Sequence, residues 1–315
     1  MKNSAHWAQV QEHSFVWGMR FLLWVYLVCG RTVLQLFLYP VVIYYWLINR
    51  SARQASQDYL NRVADFAPSL KLHSSLLWSY RHFISFANAI TDKLAAWSGT
   101  LLRADVQYYG RDELVAILRC GQGVVLLGSH LGNLEVCRVV ADFDKTIHIN
   151  VLVHTKHAEK FNQLLNKTSD NSRLNLIQVT NITAATAMLL SEKIDAGELV
   201  IIAADRTPIS SQRSQQRVSN VDFLGATAAF PQGPFILAAL LKCPVYTVFC
   251  LKQHNKHVIY FDHFSDMLNL PRKTREQAMQ HIIQHYAERL QTYCLKEPLQ
   301  WFNFFDFWRV ADDDK

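Results

Sequence analysis

The sequence lacks the paired cysteines of a disulfide framework or a zinc site. Its six cysteines form no C-x-x-C pair, and their spacing matches no disulfide scaffold. They are Cys29, Cys120, Cys137, Cys243, Cys250 and Cys294. Those at 137, 243 and 250 stand among apolar residues, which predicts buried free thiols. Free thiols favour a reducing compartment.

Motifs of several other protein classes are missing as well. Three histidine pairs have a spacing that could suggest a metal site: His154/His157, His254/His257 and His281/His285. None of them is accompanied by a cysteine or an acidic ligand in a known pattern. We therefore expect no bound metal. Gly121-Gln122-Gly123 lacks the rest of a dinucleotide fingerprint and no phosphate-binding loop is present, so we expect no nucleotide cofactor. Lysine and arginine form no dense stripe, which makes nucleic acid a poor partner.

The chain is instead rich in apolar and aromatic residues. Half of its 315 residues are hydrophobic, and it carries eight tryptophans, twelve tyrosines and eighteen phenylalanines. This composition suits a protein at a lipid interface. The formal charge of +6 favours an anionic membrane surface or an anionic substrate. The length allows one catalytic domain with an N-terminal appendage.

An almost continuous apolar run covers residues 21–48, interrupted by Arg31 and softened by Gln35 and Pro40. It begins too late and is too long for a cleavable signal peptide, and it is marginal to sufficient for a membrane span. We predict a membrane helix. A helix lying in the interface is one alternative, because Arg31 and Pro40 fit a tilted or broken helix, and a buried helix of a soluble domain is the other. The domain is placed on the cytoplasmic side by the basic residues that follow, Arg50, Arg53, Arg62 and Lys71.

Periodicity divides the rest of the chain. Residues 52–98 predict two amphipathic helices separated by Pro68. Strands are then expected near 104–109, 123–128, 149–153, 175–179, 198–204, 217–223, 244–250 and 256–262. Helices are expected near 111–119, 132–141, 158–168, 183–196, 231–242 and 273–294. This alternation predicts an α/β fold with a mixed central sheet flanked by helices. We expect a membrane anchor (1–50), an amphipathic helical region (51–100), the α/β domain (101–310) and a tail (311–315).

One strand-to-helix turn carries the strongest sign of chemistry. The apolar run Val124–Leu127 leads into Gly128-Ser129-His130-Leu131-Gly132-Asn133-Leu134-Glu135. With His130 in the turn and Glu135 in the first helical turn, the carboxylate can hold one ring nitrogen while the other faces a substrate hydroxyl. The flanking glycines are expected to open space around the imidazole, and the amides near residues 131–133 to stabilise an oxyanion. No G-x-S-x-G elbow is present, which argues against Ser129 as a nucleophile.

Two further segments are candidates for substrate contact. Asp205 and Arg206 follow the buried run Leu199–Ile202, at the end of a strand where α/β sheets bind ligands, and the planar guanidinium of Arg206 suits a phosphate or carboxylate. The stretch 221–234 combines an extended segment, small residues and a Pro-Gln-Gly-Pro helix start, and is expected to floor an acyl groove. Structural alternatives are a turn-capping Asp–Arg pair and a tightly packed turn. We expect substrate contacts at Asn133, Arg138, Asp205, Arg206, Phe223 and Gly225.

With these motifs the chain resembles the lysophospholipid acyltransferase superfamily, in particular the bacterial branch of late acyltransferases of lipid A biosynthesis. The resemblance covers residues 15–308 and rests on H-x4-E at His130 and Glu135, the N-terminal apolar helix and the Trp-rich segment Glu297–Trp308. In place of an E-G-T-R block the chain has Asp205-Arg206-Thr207, and the lipid A enzymes usually carry Asp-Gln where Asp205-Arg206 stands. Parts of the sequence look closer to a sister group associated with aryl polyene lipids.

The resemblance implies transfer of a fatty acyl group from a thioester of acyl carrier protein or coenzyme A to a hydroxyl of a lipid or glycolipid, lipid A-like or of aryl-polyene type. It implies His130 as the base, Glu135 as its orienting carboxylate, no cofactor, and a bacterial inner-membrane location with the catalytic domain facing the cytoplasm. Two alternatives remain open. One is a catalytically inactive lipid-binding or assembly protein, and the other is a lipid hydrolase.

Overall fold

The computed structural model describes residues 12–72, 75–97, 100, 103–137, 147–153, 174–178, 183–206 and 217–308. Its N-terminal part contains the helices α1 (Glu12–Ile48), α2 (Arg50–Phe66) and α3 (Leu76–Trp97), with a 3-10 turn at Pro68–Leu70. The predicted pair of amphipathic helices around Pro68 is thereby confirmed. Polar contacts join α1 to α3, among them a hydrogen bond from Gln35 Nε2 to Asn88 Oδ1 at 2.9 Å.

Helix α1 is interrupted at Gly30, where φ is 80° and ψ is 179°. Glycine adopts positive φ without the steric cost that a side chain brings. A break at Pro40 would fit the interfacial alternative, but Pro40 lies within the helical stretch. The segment Trp24–Ile48 is long and apolar enough to cross a membrane, and only 11% of its most apolar window is buried. This exposure does not fit the alternative of a buried core helix.

The α/β domain contains nine strands and four α-helices among the described residues. The strands are β1 (Val106–Tyr109), β2 (Val124–Gly128), β3 (Ile149–Val153), β4 (Leu174–Gln178), β5 (Leu199–Ala203), β6 (Val218–Phe223), β7 (Ala226–Pro231), β8 (Val245–Gln253) and β9 (Lys256–Ser265). The helices are α4 (Arg111–Arg119), α5 (Ala184–Asp195), α6 (Gly233–Leu241) and α7 (Arg275–Lys296). Short 3-10 turns lie at Arg103–Asp105, Leu134–Cys137, Arg272–Thr274 and Pro298–Gln300.

Seven strands form the central sheet in the order β1-β9-β8-β2-β5-β3-β4. All neighbours in it are parallel except the β8–β9 pair, which is antiparallel. The predicted mixed sheet is therefore confirmed. Strand β2 lies between β5 and β8, and every residue of β2 is buried. Because both faces of such a strand are covered, it is a continuous apolar run without alternation.

Two sequence-based expectations differ from the structure. The helix expected at 132–141 is a 3-10 turn at Leu134–Cys137, and the positions after it lie outside the described residues, as does the helix expected at 158–168. The stretch expected to floor an acyl groove contains strand β7, which pairs with β6 in a separate hairpin. Its Ala228 and Phe230 are fully buried, so these small and aromatic residues pack the core.

The β6–β7 hairpin turns on two residues, Leu224 and Gly225, with φ of 51° and 75°. Two consecutive positive φ values are what a tight hairpin of this twist requires, and glycine supplies one at no steric cost. The hairpin is held against α7 by Gln291, whose Oε1 accepts from the amide of Leu224 at 2.7 Å.

Candidate active site

The candidate site lies where β2 and β5 end side by side. The two parallel strands are paired so that Gly128 stands opposite Ala203, and the amide of Ala204 donates to the carbonyl of Gly128 at 2.9 Å. His130 and Asp205 each come two residues after this last rung. The carboxyl edge of an α/β sheet is where such folds bind ligands. Strand register thus brings together two residues that are 75 positions apart in the chain.

Asp205 contacts His130 twice. Its Oδ1 accepts from the ring Nδ1 and its Oδ2 from the backbone amide of His130, both at 2.8 Å. A carboxylate only accepts, so Nδ1 carries the proton and Nε2 of the neutral ring has a free lone pair. No described residue hydrogen-bonds Nε2, and the side chain is 39% exposed. The ring is held on one edge and open on the other, as a general base requires.

Aromatic residues fix this pair from behind. The indole Nε1 of Trp301 donates to Oδ2 of Asp205 at 3.1 Å, and both side chains are fully buried. The Tyr286 hydroxyl donates to the carbonyl of Gly128 at 2.6 Å. The amide of Phe302 donates to the carbonyl of His130 at 3.1 Å. Both carboxylate oxygens and the backbone of the histidine turn are therefore restrained, which pre-organises the imidazole.

The charges of the site favour an ionised Asp205 and a neutral His130. Burial by itself would raise the pKa of Asp205, but its interactions with His130 and the charge of Arg206 lower that pKa to about 2. Burial also lowers the pKa of His130, and the positive charge of Arg206 adds to this effect, while Asp205 opposes it. The imidazole is thus unprotonated near neutral pH, in the form that can accept a proton.

Arg206 extends from the same strand end toward the C-terminal segment. Its Nη2 donates to the carbonyl of Phe302, and its guanidinium lies 5.4 Å from the centroid of the Phe305 ring. Its buried Nε has no hydrogen-bond partner among the described residues. Burial lowers the pKa of Arg206 below its ordinary value, and the charge of Asp205 opposes this effect. The residue is held beside His130 with one donor still unused.

The amides that follow His130 are already engaged. The amide of Leu131 donates to Ser129 Oγ at 3.1 Å, that of Gly132 to Gln300 O at 2.7 Å, and that of Asn133 to Cys250 O at 2.9 Å. The expectation that these amides serve an oxyanion is therefore wrong, because each is committed to structure.

The glycines of the motif serve packing. A Cβ on Gly132 would lie 1.8 Å from the Cys250 carbonyl oxygen, and a Cβ on Gly128 would lie 3.1 Å from the Leu134 side chain. The atoms nearest to an added Cβ at either glycine belong to other residues and not to the imidazole, around which the glycines were expected to open space. Their role is close approach of the turn to β8 and to the 3-10 turn that follows.

The other predicted site residues have different outcomes. The side chain of Glu135 and all of Arg138 lie outside the described residues. Asn133 is buried, and its Nδ2 donates to the carbonyl of Ala89 at 3.1 Å. Phe223 is fully buried against Trp301, with ring centroids 5.2 Å apart, and Gly225 forms the β6–β7 turn. The catalytic role of Glu135 and substrate contact by the other four residues stay predictions.

Sequence reasoning placed Asp205 at the site but not on His130, and it gave no role to Trp301 or Tyr286. A signal for the first contact exists. Both residues stand two positions beyond an apolar five-residue run, Val124–Gly128 and Leu199–Ala203. That equal offset becomes a contact only if the two strands are neighbours, and strand order is not encoded locally. The contacts of Trp301 and Tyr286 depend on tertiary packing alone.

Fold and site together define a class: an α/β protein in which a buried aspartate holds a histidine base at the carboxyl edge of a mixed sheet. The sequence profile of the family described as bacterial lipid A biosynthesis acyltransferase matches residues 79–310, well over half of the chain. The chain belongs to this family of membrane-associated acyltransferases. No curated protein matches it.

Proposed function

We propose that the protein transfers a fatty acyl chain from the thioester of acyl carrier protein or coenzyme A to a hydroxyl of a lipid or glycolipid acceptor. The observation that carries this proposal is the His130–Asp205 pair, in which Nδ1 is held at 2.8 Å while Nε2 and part of the ring stay open. The family supports acyl transfer in general. The donor and acceptor are the parts that this proposal adds.

In the proposed reaction His130 Nε2 takes the proton of the acceptor hydroxyl as its oxygen attacks the thioester carbonyl. The C–O bond forms, the C–S bond breaks, and the imidazolium returns the proton to the leaving thiolate. The Asp205 carboxylate keeps Nδ1–H in place and stabilises the transient imidazolium. No covalent acyl-enzyme is needed, because the hydroxyl attacks the thioester directly.

Arg206 takes over the role first assigned to backbone amides. Its charge lies beside His130, and its Nε is the donor without a described partner. A guanidinium suits an oxyanion or a phosphate because it presents several donors in one plane. We assign it to negative charge that develops on the thioester oxygen or stands on the acceptor.

Glu135 remains part of the proposal as a second carboxylate near the base. Since Asp205 holds Nδ1, Glu135 is expected to act from another side of the site, on the acceptor or on the position of the turn. Comparison of Asp205→Asn with Glu135→Gln separates the two roles. We expect Asp205→Asn to lower kcat strongly, and Glu135→Gln to slow turnover with less effect on acceptor binding.

The deciding experiment is acyl transfer by the purified full chain with a radiolabelled acyl thioester and a lipid extract as acceptor. His130→Ala should lose about 10²–10⁴-fold in rate while it folds and binds membrane, since a positioned base contributes that much. His148→Ala is the matched control, because His148 is an exposed histidine outside the site. Wild-type transfer by purified His130→Ala would refute the mechanism.

The two alternatives give different products in the same assay. A lipid hydrolase releases free fatty acid, and an inactive lipid-binding protein forms neither fatty acid nor acylated lipid. The ordered His130–Asp205 pair favours catalysis over pure binding. Lipids from a deletion strain, analysed by mass spectrometry for a species short by one acyl chain, would identify the acceptor as lipid A-like or of aryl-polyene type.

We also propose a location at the bacterial inner membrane with the α/β domain on the cytoplasmic side. The proposal is supported by the apolar segment Trp24–Ile48 and by the basic residues after it. One of these residues, Arg53, donates to the carbonyl of Leu47 at 2.9 Å and so also caps the C-terminal end of helix α1. The domain division follows the same logic, with an anchor (1–50), a helical region (51–100), the α/β domain (101–310) and a tail (311–315).

A further inference from the structure

A second opening lies beside the candidate active site, between α1, α3 and the β8–β9 hairpin. It is a cavity of ≈ 1040 Å³. His130 does not line it, but Gly132 and Phe302 do, and Phe302 is hydrogen-bonded to the His130 carbonyl. Ligand pockets are typically roughly 300–1,000 Å³, so this space accommodates a headgroup and not merely an ion.

One wall of the cavity is a polar stripe on an otherwise apolar helix. Arg31, Gln35 and Tyr39 stand four residues apart on α1, and all three line the cavity. This spacing keeps side chains on one helix face. The face is turned toward α3, where Asn88 Oδ1 accepts from Gln35 at 2.9 Å and from Tyr39 at 3.4 Å. Polar groups within a candidate membrane helix are costly, and they generally mark a functional path.

The cavity is positively charged. Among the described residues that line it, Arg31, Arg81 and Lys252 carry fixed positive charges and Asp92 is the one carboxylate, which leaves two positive charges in excess. Two histidines, His254 and His257, also line the cavity, and burial lowers the pKa of His257. No described residue forms an ion pair with Arg81, whose guanidinium lies 4.8 Å from the Trp78 ring centroid. A site of this charge attracts an anion.

Asp92 organises the cations. Its side chain is only 3% exposed and pairs with Arg31 Nη1 at 2.7 Å and with Lys252 Nζ at 2.8 Å. One carboxylate thus fixes two cations from different elements, and their remaining donors are available to a ligand. A site whose donors are held in place before binding loses less entropy on binding.

We propose that this cavity binds the phosphate of an anionic bilayer phospholipid. Phosphate matches the excess charge and the guanidinium donors. A lipid, and not a soluble anion, is indicated because the cavity borders Trp24–Ile48, whose outward side chains Leu36, Phe37 and Val41 are exposed and offer an apolar surface for acyl chains. The bound headgroup would join α1 to α3 and the sheet. This binding does not depend on the acyl transfer proposed above.

Binding is best measured by native mass spectrometry of the full chain, purified in a neutral detergent and titrated with dihexanoyl phosphatidic acid. Dihexanoylglycerol tests for the phosphate, and inorganic phosphate tests for a free-anion site. We expect phosphatidic acid to bind at least tenfold more tightly than either probe. Equal affinity for dihexanoylglycerol, or equal affinity for inorganic phosphate, would overturn the assignment.

Two variants locate the site. Arg81→Gln removes the cation that is not tied to Asp92, and Gln35→Glu adds a negative charge with little change in shape. Each should weaken phosphatidic acid binding about tenfold, equivalent to about 1.4 kcal/mol. Arg272→Gln, which removes an exposed arginine outside the cavity, should leave the affinity unchanged. If both cavity variants bind as the wild type does, the lipid lies elsewhere and the proposal fails, whatever the outcome of the acyl-transfer assay.

Discussion

Trp301 and Asp205 form a buried hydrogen bond of 3.1 Å between the indole nitrogen and a carboxylate oxygen, directly behind the imidazole of His130. The aspartate that holds the histidine is therefore itself held by the C-terminal segment. Trp301 also packs against Tyr59 of α2 and Phe223 of β6, with ring centroids 4.9 Å and 5.2 Å away. One side chain thus links the helical region, the hairpin and the site.

Replacement of Trp301 by phenylalanine removes this donor and should reduce both stability and kcat. Loss of one partner from a buried acceptor costs about 1–3 kcal/mol, and a looser Asp205 orients the imidazole less well. Trp308→Phe is the matched control, because Trp308 packs in the same cluster but its Nε1 has no hydrogen-bond partner among the described residues. Thermal unfolding and single-turnover acyl transfer should separate the two variants. Identical turnover would show that the hydrogen bond does not serve the site.

Arg206 should set the acidic limb of the pH–rate profile. Burial and then the charge of Arg206 lower the pKa of His130 below 6.5, so the base is lost only when pH falls through that lowered value. Arg206→Gln removes one cause of the lowering, and the limb should move to higher pH. Arg206→Lys keeps the charge and should leave the limb in place. We would measure kcat/KM from pH 4.5 to 8, and a limb that stays put or moves to lower pH in Arg206→Gln contradicts the assignment.

His82 should make stability depend on pH between about 4 and 6.5. It is fully buried, its Nε2 donates to the Trp301 carbonyl at 2.9 Å, and its Nδ1 accepts from the Ser56 hydroxyl at 3.0 Å. Burial lowers its pKa to about 4, although the bond to Trp301 opposes this. In this range the unfolded chain binds the extra proton, so stability is complete above pH 6.5 and falls by about 3 kcal/mol as pH drops toward 4.

His82→Gln should flatten this dependence, because glutamine does not titrate and still offers a donor to Trp301. The difference between thermal midpoints at pH 5 and pH 7.5, measured in detergent, reports it. His148→Gln, at an exposed histidine, serves as control. If His82→Gln and the wild type lose the same number of degrees on acidification, His82 is not the titrating group.

Gly132 should be irreplaceable for steric reasons. It has φ of 70°, and an added Cβ would lie 1.8 Å from the carbonyl oxygen of Cys250. Gly132→Ala must therefore push the histidine turn away from β8. Gly121→Ala is the control, since Gly121 also has positive φ, at 78°, but has open space around it.

Both alanine variants carry the cost of positive φ, about 1 kcal/mol. Only Gly132→Ala adds the clash, so we expect it to lose most of its activity and several degrees of thermal stability, while Gly121→Ala keeps its activity. Circular dichroism melts and acyl-transfer rates report the difference. Equal behaviour of the two variants would show that the turn tolerates a side chain at 132.

Local patterns were sufficient to predict much of the fold. The helix Arg111–Arg119 is visible because its apolar residues recur with the helical period, and strand Val124–Gly128 is visible as a short continuous apolar run. Strand β7 was missed because three of the four residues in Ala226–Ala229 are alanine, a residue that is depleted in strands. The break in α1 lies at Gly30, where glycine adopts a positive φ, and not at Pro40, around which the helix continues.

The site was predictable only in part. The candidate base His130 stands out by its place after a buried strand, but its partner was sought five residues away because only neighbours in sequence can be paired without a topology. The structure instead supplies Asp205 through parallel pairing of β2 with β5. The bonded amides of Gly132 and Asn133 also escape prediction, because their acceptors, the carbonyls of Gln300 and Cys250, belong to distant segments.

Because Gly128 pairs with Ala203 across the two strands, the His130–Asp205 pair exists only in the assembled sheet and not in any contiguous peptide. A slip of the pairing by one residue would turn one of the two overhanging side chains to the opposite face and separate acid from base. A growing polypeptide that has emerged only as far as the fourth strand contains its histidine but no aspartate to steady it. Such a chain cannot form the pair, which is completed only when β5 docks beside β2 and Trp301 closes on Asp205.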